Sequence, residues 1–236
     1  MGFRCFLPLI LLLPVTAPAG DVRGSVQLLD SRDPGVRKKK DYSGVVVWLE
    51  PQQRKPAALA PKTYTMLQKG KRFQPHVLAI PVGSVVDFPN FDPIFHNAFS
   101  NFAGQPFDTG LYRPGSTQKV QFRREGIVRV FCNIHSSMSA VIAVLRTPYF
   151  AVSGADGRFA ISGVEPGEYR LKIWHERAAA NILSQLERVV HVEQAGLEEP
   201  PIRISELGFL ETPHRNKFDR EYGPEPSDSL YPGGKK

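Results

Sequence analysis

One cysteine, one histidine and one methionine follow each other at intervals of three residues near the middle of the chain. The segment Phe131-Cys132-Asn133-Ile134-His135-Ser136-Ser137-Met138 places a thiolate, an imidazole and a thioether in one short loop. A second imidazole, His96, stands upstream in Phe95-His96-Asn97. Two imidazoles, one thiolate and a weakly bound thioether are the donor set of a trigonal blue-copper site. The residues therefore predict one copper ion bound by His96, Cys132, His135 and Met138.

This donor set favours electron transfer over other metal chemistry. Soft sulfur suits Cu(I) and imidazole suits both oxidation states, so a fixed set of both limits rearrangement when an electron moves. Zinc is the competing metal, but Met is not among the donors of structural zinc sites. A Cys-His-His set with an open position could be a catalytic zinc site. The nearest carboxylates, Asp92 and Asp108, lie in turn-like segments, and the sequence assigns neither the role of a general base.

The first 19 residues have the layout of a secretory signal. Arg4 precedes the apolar run Phe6–Val15, and the small residues Ala17-Pro18-Ala19 follow it. The run is too short for a transmembrane helix, which needs about 20 apolar residues, and no later run approaches that length. We therefore expect an exported, periplasmic protein without a membrane span. Because Cys5 lies in the signal, the mature chain would hold Cys132 alone, which excludes an internal disulfide.

Short apolar runs bounded by Gly, Pro, Asn or Asp recur along the chain and predict an all-β fold of β-sandwiches. Two of these runs flank the Cys132 loop, so the loop can fold its donors over one point at the end of a sandwich. A weak helical pattern covers Ala178–Leu186. The predicted strands are Val22–Leu29, Gly44–Leu49, Pro75–Pro81, Val85–Phe88, Lys119–Phe122, Ile127–Phe131, Ser139–Leu145, Arg158–Ile161, Tyr169–Trp174, Val189–Val192 and Ile202–Ile204.

The region 73–145 resembles the plastocyanin–azurin (cupredoxin) family, and its short C-x-x-H-x-x-M loop is similar to that of amicyanin. The whole chain is similar to periplasmic proteins described as methylamine-utilisation or plastocyanin-like. The resemblance implies a Greek-key β-sandwich. It implies that His96 is the inner ligand, Cys132 the thiolate, His135 the ligand nearest to solvent and Met138 the axial ligand. It also implies a supporting residue outside the ligand set, Asn97, which ties the two ligand loops together by hydrogen bonds.

Segments beyond residue 146 resemble a second family. Gly154-Ala155-Asp156-Gly157-Arg158-Phe159 and Val164-Glu165-Pro166-Gly167-Glu168-Tyr169 are similar to the D-G-x-F and P-G-x-Y strands of the transthyretin-like repeat in carboxypeptidase regulatory-type domains. The opening strands of that family resemble Gly24-Ser25-Val26 and Gly44-Val45-Val46-Val47, which precede the copper region.

The order of these segments predicts one domain inserted into another. Residues 21–54 and 147–205 would form a smaller, discontinuous transthyretin-like β-sandwich, and residues 55–146 would form the inserted cupredoxin copper domain. Residues 206–236 mix charge with Pro and Gly and contain few apolar side chains, so we predict an extended or disordered tail.

The charge and the histidine pattern limit the classes of function. A formal charge of +7 could steer an acidic redox partner, while no motif indicates a nucleic-acid partner. A copper oxidase or nitrite reductase would need further His clusters, and the six histidines contain no His-x-His pair. The leading hypothesis is a non-enzymatic electron carrier with a redox partner protein. A copper-delivery protein and a structural or adhesion protein remain alternatives. His76 is predicted to be a surface residue, with a second metal site as the alternative.

Overall fold

The computed structural model describes residues 19–53, 58–102, 104–210 and 214–223, so the predicted signal lies outside the described residues except for its last residue. These ranges hold eighteen strands and two short helices, which confirms the predicted all-β fold. None of the described helices is long and apolar enough to cross a bilayer. The strands are β1 Gly20–Leu29, β2 Val46–Pro51, β3 Thr63–Thr65, β4 Leu67–Gln68, β5 Phe73–Gln74, β6 Val77–Pro81, β7 Val85–Pro89, β8 Phe99–Ser100, β9 Phe107–Asp108, β10 Thr117–Gln121, β11 Gly126–Phe131, β12 Ser139–Leu145, β13 Phe150–Val152, β14 Arg158–Val164, β15 Gly167–Trp174, β16 Arg188–Val192, β17 Leu197–Glu198 and β18 Ile202–Ser205; the helices are α1 Pro34–Lys39 and α2 Ala180–Leu186.

Strands from the two ends of the chain form one sandwich. β1 pairs with β14, β17 and β18, while β2 pairs with β13 and β15, and β15 pairs with β16. The two sheets bury a common core that includes Val22, Leu49, Leu171 and Ile204, all fully buried. The assignment of residues 21–54 and 147–205 to one discontinuous, transthyretin-like domain stays a prediction.

The middle of the chain forms a second sandwich. One sheet has the order β6-β12-β11-β8-β9 and the other has the order β10-β7-β3. Their facing sides bury an aromatic and aliphatic core around Phe88, Phe122, Val130 and Ile142. Because β11 and β12 are adjacent antiparallel strands, the short connection between them lies at one end of this core.

The strand β12 packs on both of its faces, which explains its unbroken apolar sequence. Successive residues of a strand point to opposite sides. Ala140, Ile142 and Val144 therefore enter the core of the second sandwich. Val141 and Ala143, on the other face, join a third apolar cluster with residues of β2 and β6. This cluster joins the two sandwiches and holds β12, and hence one end of the ligand loop, in a fixed place.

Candidate metal centre

The loop that connects β11 to β12 is closed by its own backbone. The N–H of Cys132 donates to the carbonyl of Met138 at 3.1 Å, and the N–H of Met138 donates to the carbonyl of His135 at 3.1 Å. Cys132 and Met138 thus continue the ladder in which Phe131 pairs with Ser139. Both side chains are fully buried in the core of the second sandwich. The seven residues from 132 to 138 form a compact turn and not an open loop.

His96 reaches this turn through the neighbouring strand. β8 pairs with β11 in the antiparallel sense, with Phe99 opposite Phe131. The residues before Phe99 therefore run alongside the residues that follow Phe131. The backbone of His96 is held in turn by an isolated bridge to Tyr112. Sheet pairing, and not sequence proximity, brings the second imidazole to Cys132.

The side chains of His96, Cys132 and His135 meet at one buried point. The Sγ atom of Cys132 lies 3.8 Å from Nδ1 of His96 and 3.6 Å from Nδ1 of His135. One donor atom from each residue lies within 4.8 Å of the others, and all three residues are fully buried. A buried cluster of one thiol and two imidazoles fits a copper ion with soft and nitrogen donors.

The fourth predicted ligand shares this loop and this core. Met138 is 0 % exposed, packs in the same apolar cluster as Cys132 and is joined to it by the backbone bond of the turn. Its assignment as the axial ligand stays a prediction.

A carboxylate that the sequence left without a role lies against His96. Oδ2 of Asp92 is 2.8 Å from Nε2 of His96, and both side chains are buried. The same carboxylate accepts hydrogen bonds from the backbone N–H groups of Gly70 at 2.6 Å and Lys71 at 2.9 Å. Asp92 thus anchors His96 to the loop between β4 and β5. The sequence offers one signal for this role of Asp92. The residue stands four positions before a predicted ligand, in an Asn-Phe-Asp-Pro turn.

The directions in which the two pKa values shift indicate which group, His96 or Asp92, carries the proton between them. Burial lowers the pKa of His96 and outweighs the opposing effect of Asp92. Burial alone would raise the pKa of Asp92, but the hydrogen bonds from Lys71, Gly70 and His96 outweigh it, and the pKa of Asp92 is lowered. A neutral His96 that donates from Nε2 to an ionised Asp92 leaves the lone pair of Nδ1 facing Cys132. Such outer carboxylates commonly orient metal-binding imidazoles.

Asn97 lies between the two ligand segments. Its Oδ1 accepts a hydrogen bond from the backbone N–H of Asn133 at 2.7 Å, and its Nδ2 donates to Asp108 at 3.1 Å. The side chain is fully buried. The residue after His96 is therefore hydrogen-bonded to the residue after Cys132, which fixes the spacing of the two loops.

The family resemblance implies that His135 is the ligand nearest to solvent, and an electron carrier is expected to expose it in an apolar patch that faces its partner; in this structure His135 is buried instead. His135 is 0 % exposed. Residues 214–223, part of the tail for which the sequence predicts an extended or disordered state, lie against the ligand loop. Tyr222 donates from its hydroxyl to the carbonyl of Cys132 at 2.8 Å. Residues 211–213 and 224–236 lie outside the described part of the tail.

Two other histidines lie against carboxylates away from this cluster. His76 has a half-exposed side chain, and its Nε2 contacts both carboxylate oxygens of Glu176 at 2.9 and 3.0 Å. His175, to which the sequence assigned no chemistry, is buried against Glu206 at 2.9 Å. A cleft of about 970 Å³ runs beside these pairs, between the two sandwiches, and none of the three clustered donors lines it.

Comparison with known proteins gives partial structural likenesses. No family model matches the chain, and no curated protein matches it. A purple cupredoxin from Nitrosopumilus maritimus is 24 % identical, with a TM-score of 0.33, over 35 % of this chain and 99 % of that one. A copper-containing nitrite reductase from Thermus scotoductus is 26 % identical, with a TM-score of 0.34, over 51 % of this chain and 28 % of that one. A reduced amicyanin variant is 15 % identical, with a TM-score of 0.33, over 42 % of this chain and 99 % of that one. The fold and site described above rest on the strand pairing and distances of this chain itself.

Proposed function

We propose that this protein is an exported copper protein that binds one copper ion and transfers single electrons to and from a redox partner protein. The observation that carries the proposal is the convergence of His96, Cys132 and His135 within 4.8 Å at a fully buried point. Met138, in the same closed turn, would be the axial donor. When bound, copper would supply a one-electron couple between Cu(II) and Cu(I).

The surroundings of the cluster favour a carrier because they resist rearrangement. Asp92 holds the ring of His96 through a 2.8 Å hydrogen bond. Asn97 holds the ligand loop through the N–H of Asn133. The turn itself is closed between Cys132 and Met138. A donor set that keeps one geometry in both oxidation states lets an electron move without large movement of the ligands.

A carrier is also favoured over a self-contained redox enzyme. Among the described residues, the cluster of His96, Cys132 and His135 is the one group of three or more His, Cys, Asp or Glu with metal-binding spacing. An oxidase with several copper centres would need a second group. Under this proposal, the predicted signal in residues 1–19 would direct the protein to the periplasm.

Titration of the purified protein with Cu(II) tests the proposal. We expect uptake of one equivalent with an intense blue thiolate-to-copper band, which a one-electron reductant bleaches and an oxidant restores. Cys132→Ala should lose the band and keep the fold, while Ser137→Ala, in the same loop, should keep both. A pale complex would favour copper delivery, preference for zinc would favour the zinc alternative, and absence of metal uptake would leave a scaffold role. Each of these three results contradicts the proposal.

A further inference from the structure

The residues 214–223, called the strap below, lie along the loop that carries Cys132, His135 and Met138. His214 donates from Nε2 to the carbonyl of Ser136 at 2.7 Å. Its ring also stacks on Phe131, with 4.0 Å between the ring centroids and 25° between the planes. The beginning of the strap therefore contacts the residue before Cys132 and the residue after His135.

The middle and end of the strap contact the other side of the loop. The hydroxyl of Tyr222 donates to the carbonyl of Cys132 at 2.8 Å. The backbone N–H of Lys217 donates to Oδ1 of Asn133 at 3.0 Å, and its Nζ lies 2.6 Å from Oδ2 of Asp108. These contacts join residues that are about 80 to 110 positions apart in the chain. The strap thus contacts the ligand loop at three of its residues.

The strap is held to the rest of the molecule by single hydrogen bonds, one ion pair and one ring stack, and not by strand pairing. It forms turns and no strand among its ten residues. The residue Phe218 is 66 % exposed, and the side chain of Arg215 is 61 % exposed. Several of its other hydrogen bonds are internal, such as those from Phe218 and Arg220 to Asn216. Segments with few buried contacts open at a lower free energy than the strands of a core.

We propose that the strap is a gate over the metal centre: closed, it shields Cys132 and His135 from solvent and from other molecules, and local opening exposes them. Both residues are fully buried in the closed state. The strap spans the ligand loop, because His214 bonds to the carbonyl of residue 136 and Tyr222 bonds to the carbonyl of residue 132. Access to the site is therefore controlled by an equilibrium within the chain itself.

The gate has a consequence that rests on the proposed function. If copper is bound by His96, Cys132 and His135, then loading, removal by chelators and close approach of a redox partner to His135 all depend on the opening of the strap. Shielding of the thiol does not depend on metal, so the two proposals can fail separately.

The reaction of Cys132 with iodoacetamide in the metal-free protein tests the gate. The full chain would carry Cys5→Ser, so that Cys132 is the one thiol. Tyr222→Phe removes the hydroxyl that bonds to the carbonyl of residue 132. The loss of one such hydrogen bond should increase the population of the open strap about three- to tenfold. We expect the alkylation rate to rise by that factor, and to rise further when His214→Ala is added.

The matched control is Arg215→Ala, which alters an exposed strap residue whose described side-chain bonds go to Asp219 within the strap. Its alkylation rate should equal that of the parent chain. Equal rates in the parent and in Tyr222→Phe/His214→Ala would overturn the gate. Acceleration in a chain that binds no copper would support the gate and contradict the proposed function.

Amide hydrogen exchange separates local opening from unfolding of the whole domain. The Lys217 amide, which donates to Asn133, should exchange much faster than the amide of Val130 in the core strand β11. The same fast exchange should survive in the Arg215→Ala control. Equal protection of the two amides would mean that the strap opens only with the whole domain, and would overturn the proposal.

Discussion

At the scale of single residues, the contact between Asp92 and His96 determines which imidazole nitrogen faces Cys132. Asp92 uses both oxygens: Oδ1 accepts from Gly70, and Oδ2 contacts Lys71 and Nε2 of His96. An asparagine at position 92 would place its side-chain NH2 group against one of these N–H donors, where no hydrogen bond can form. The orientation of His96 therefore depends on a carboxylate at this position.

Asp92→Asn should lower copper affinity by about 10- to 100-fold, the usual effect of altering an outer partner of a metal-binding histidine. Competition with a chelator measures the change. Glu125→Gln is a suitable control, since Glu125 is an exposed carboxylate of the same sandwich paired with Arg146. Unchanged affinity in Asp92→Asn would show that the carboxylate does not orient a ligand.

Met138→Leu should keep copper and raise the reduction potential, because a weak donor to Cu(II) is lost while the volume of the side chain is nearly conserved. Met66→Leu is the matched control, since Met66 is equally buried in the same core. Voltammetry of both variants measures the difference. The same potential in Met138→Leu and in the parent protein would exclude an axial role for Met138.

The residues of the candidate site divide into those that sequence spacing indicates and those that it does not. Cys132, His135 and Met138 share one loop, so their types and intervals predict the chemistry directly. Asp92 lies near His96 in the sequence, but its role depends on whether the turn points its carboxylate inward. The role of Asn97 is implied by the family resemblance and not by the spacing of residues.

At the scale of elements, the ion pair of His76 with Glu176 joins the two sandwiches beside the ligand loop. The pair connects the start of β6 to the end of β15, and Nδ1 of His76 also lies 3.1 Å from the carbonyl of Ser139 at the start of β12. Hydrogen bonding to Glu176 raises the pKa of His76 despite the opposing effect of burial. A protonated His76 can donate from both ring nitrogens.

This arrangement predicts a pH-dependent contribution to stability. Since the folded-state pKa of His76 is raised, its stabilisation is complete below the unfolded pKa of about 6.5 and is lost as the pH rises through the raised pKa. Glu176→Gln should therefore lower the free energy of unfolding by about 0.5 kcal/mol more at pH about 6 than at pH about 9, because this partly exposed pair is screened by solvent.

Urea unfolding at the two pH values measures this difference. In a His76→Gln background, the same Glu176→Gln change should have an equal effect at both pH values. An equal effect in the parent background as well would contradict the account of the pair.

Strands with long apolar runs were predictable, and short elements were not. The predicted run Ser139–Leu145 coincides with β12. Because both faces of this strand are buried, no polar residue interrupts the apolar run, and its limits are clear in the sequence. The two-residue strands β4, β5, β8, β9 and β17 are too short to show an alternating pattern, and each is defined by its pairing with another strand. The helix α1 carries a local signal that the sequence prediction did not use: the side chain of Asp33 accepts from the N–H of Val36, and a proline stands in the first turn.

At the scale of the whole molecule, Glu206 joins the end of β18 to the segments that follow β1 and β15, all within the first sandwich. Its carboxylate contacts Nε2 of His175 at 2.9 Å and Nε of Arg177 at 3.1 Å, and it accepts from the hydroxyl of Ser31 at 2.5 Å. Burial opposes ionisation, but these partners outweigh it and lower the pKa of Glu206 from 4.5 to about 2. The carboxylate is thus charged and buried at neutral pH.

The lowered pKa of Glu206 predicts sensitivity to acid. The stabilisation is present above the unfolded pKa of 4.5 and is lost as the pH falls toward about 2. Glu206→Gln should lower the free energy of unfolding at neutral pH by about 3 kcal/mol, since each pKa unit corresponds to about 1.4 kcal/mol, and should flatten its decrease in acid. Glu198→Gln, at an exposed carboxylate, should do neither. An unaltered acid transition in Glu206→Gln would contradict this account.

The arrangement of the tail was the part of the molecule least accessible to sequence reasoning. Low apolar content predicts that the tail forms no packed core, but it does not exclude individual contacts with a distant loop. Tyr222 and Cys132 are 90 residues apart, and neither residue type nor spacing indicates that they meet. The strap is held by single polar and ring contacts, which leave no periodic pattern in the sequence.

Copper K-edge absorption of the full chain loaded with one equivalent of copper tests the central claim most directly, because it reports the atoms bound to the metal. The account predicts one sulfur at thiolate distance and two imidazole nitrogens, with the sulfur absent in Cys132→Ala. A first shell of nitrogen and oxygen atoms alone in the parent protein would contradict it.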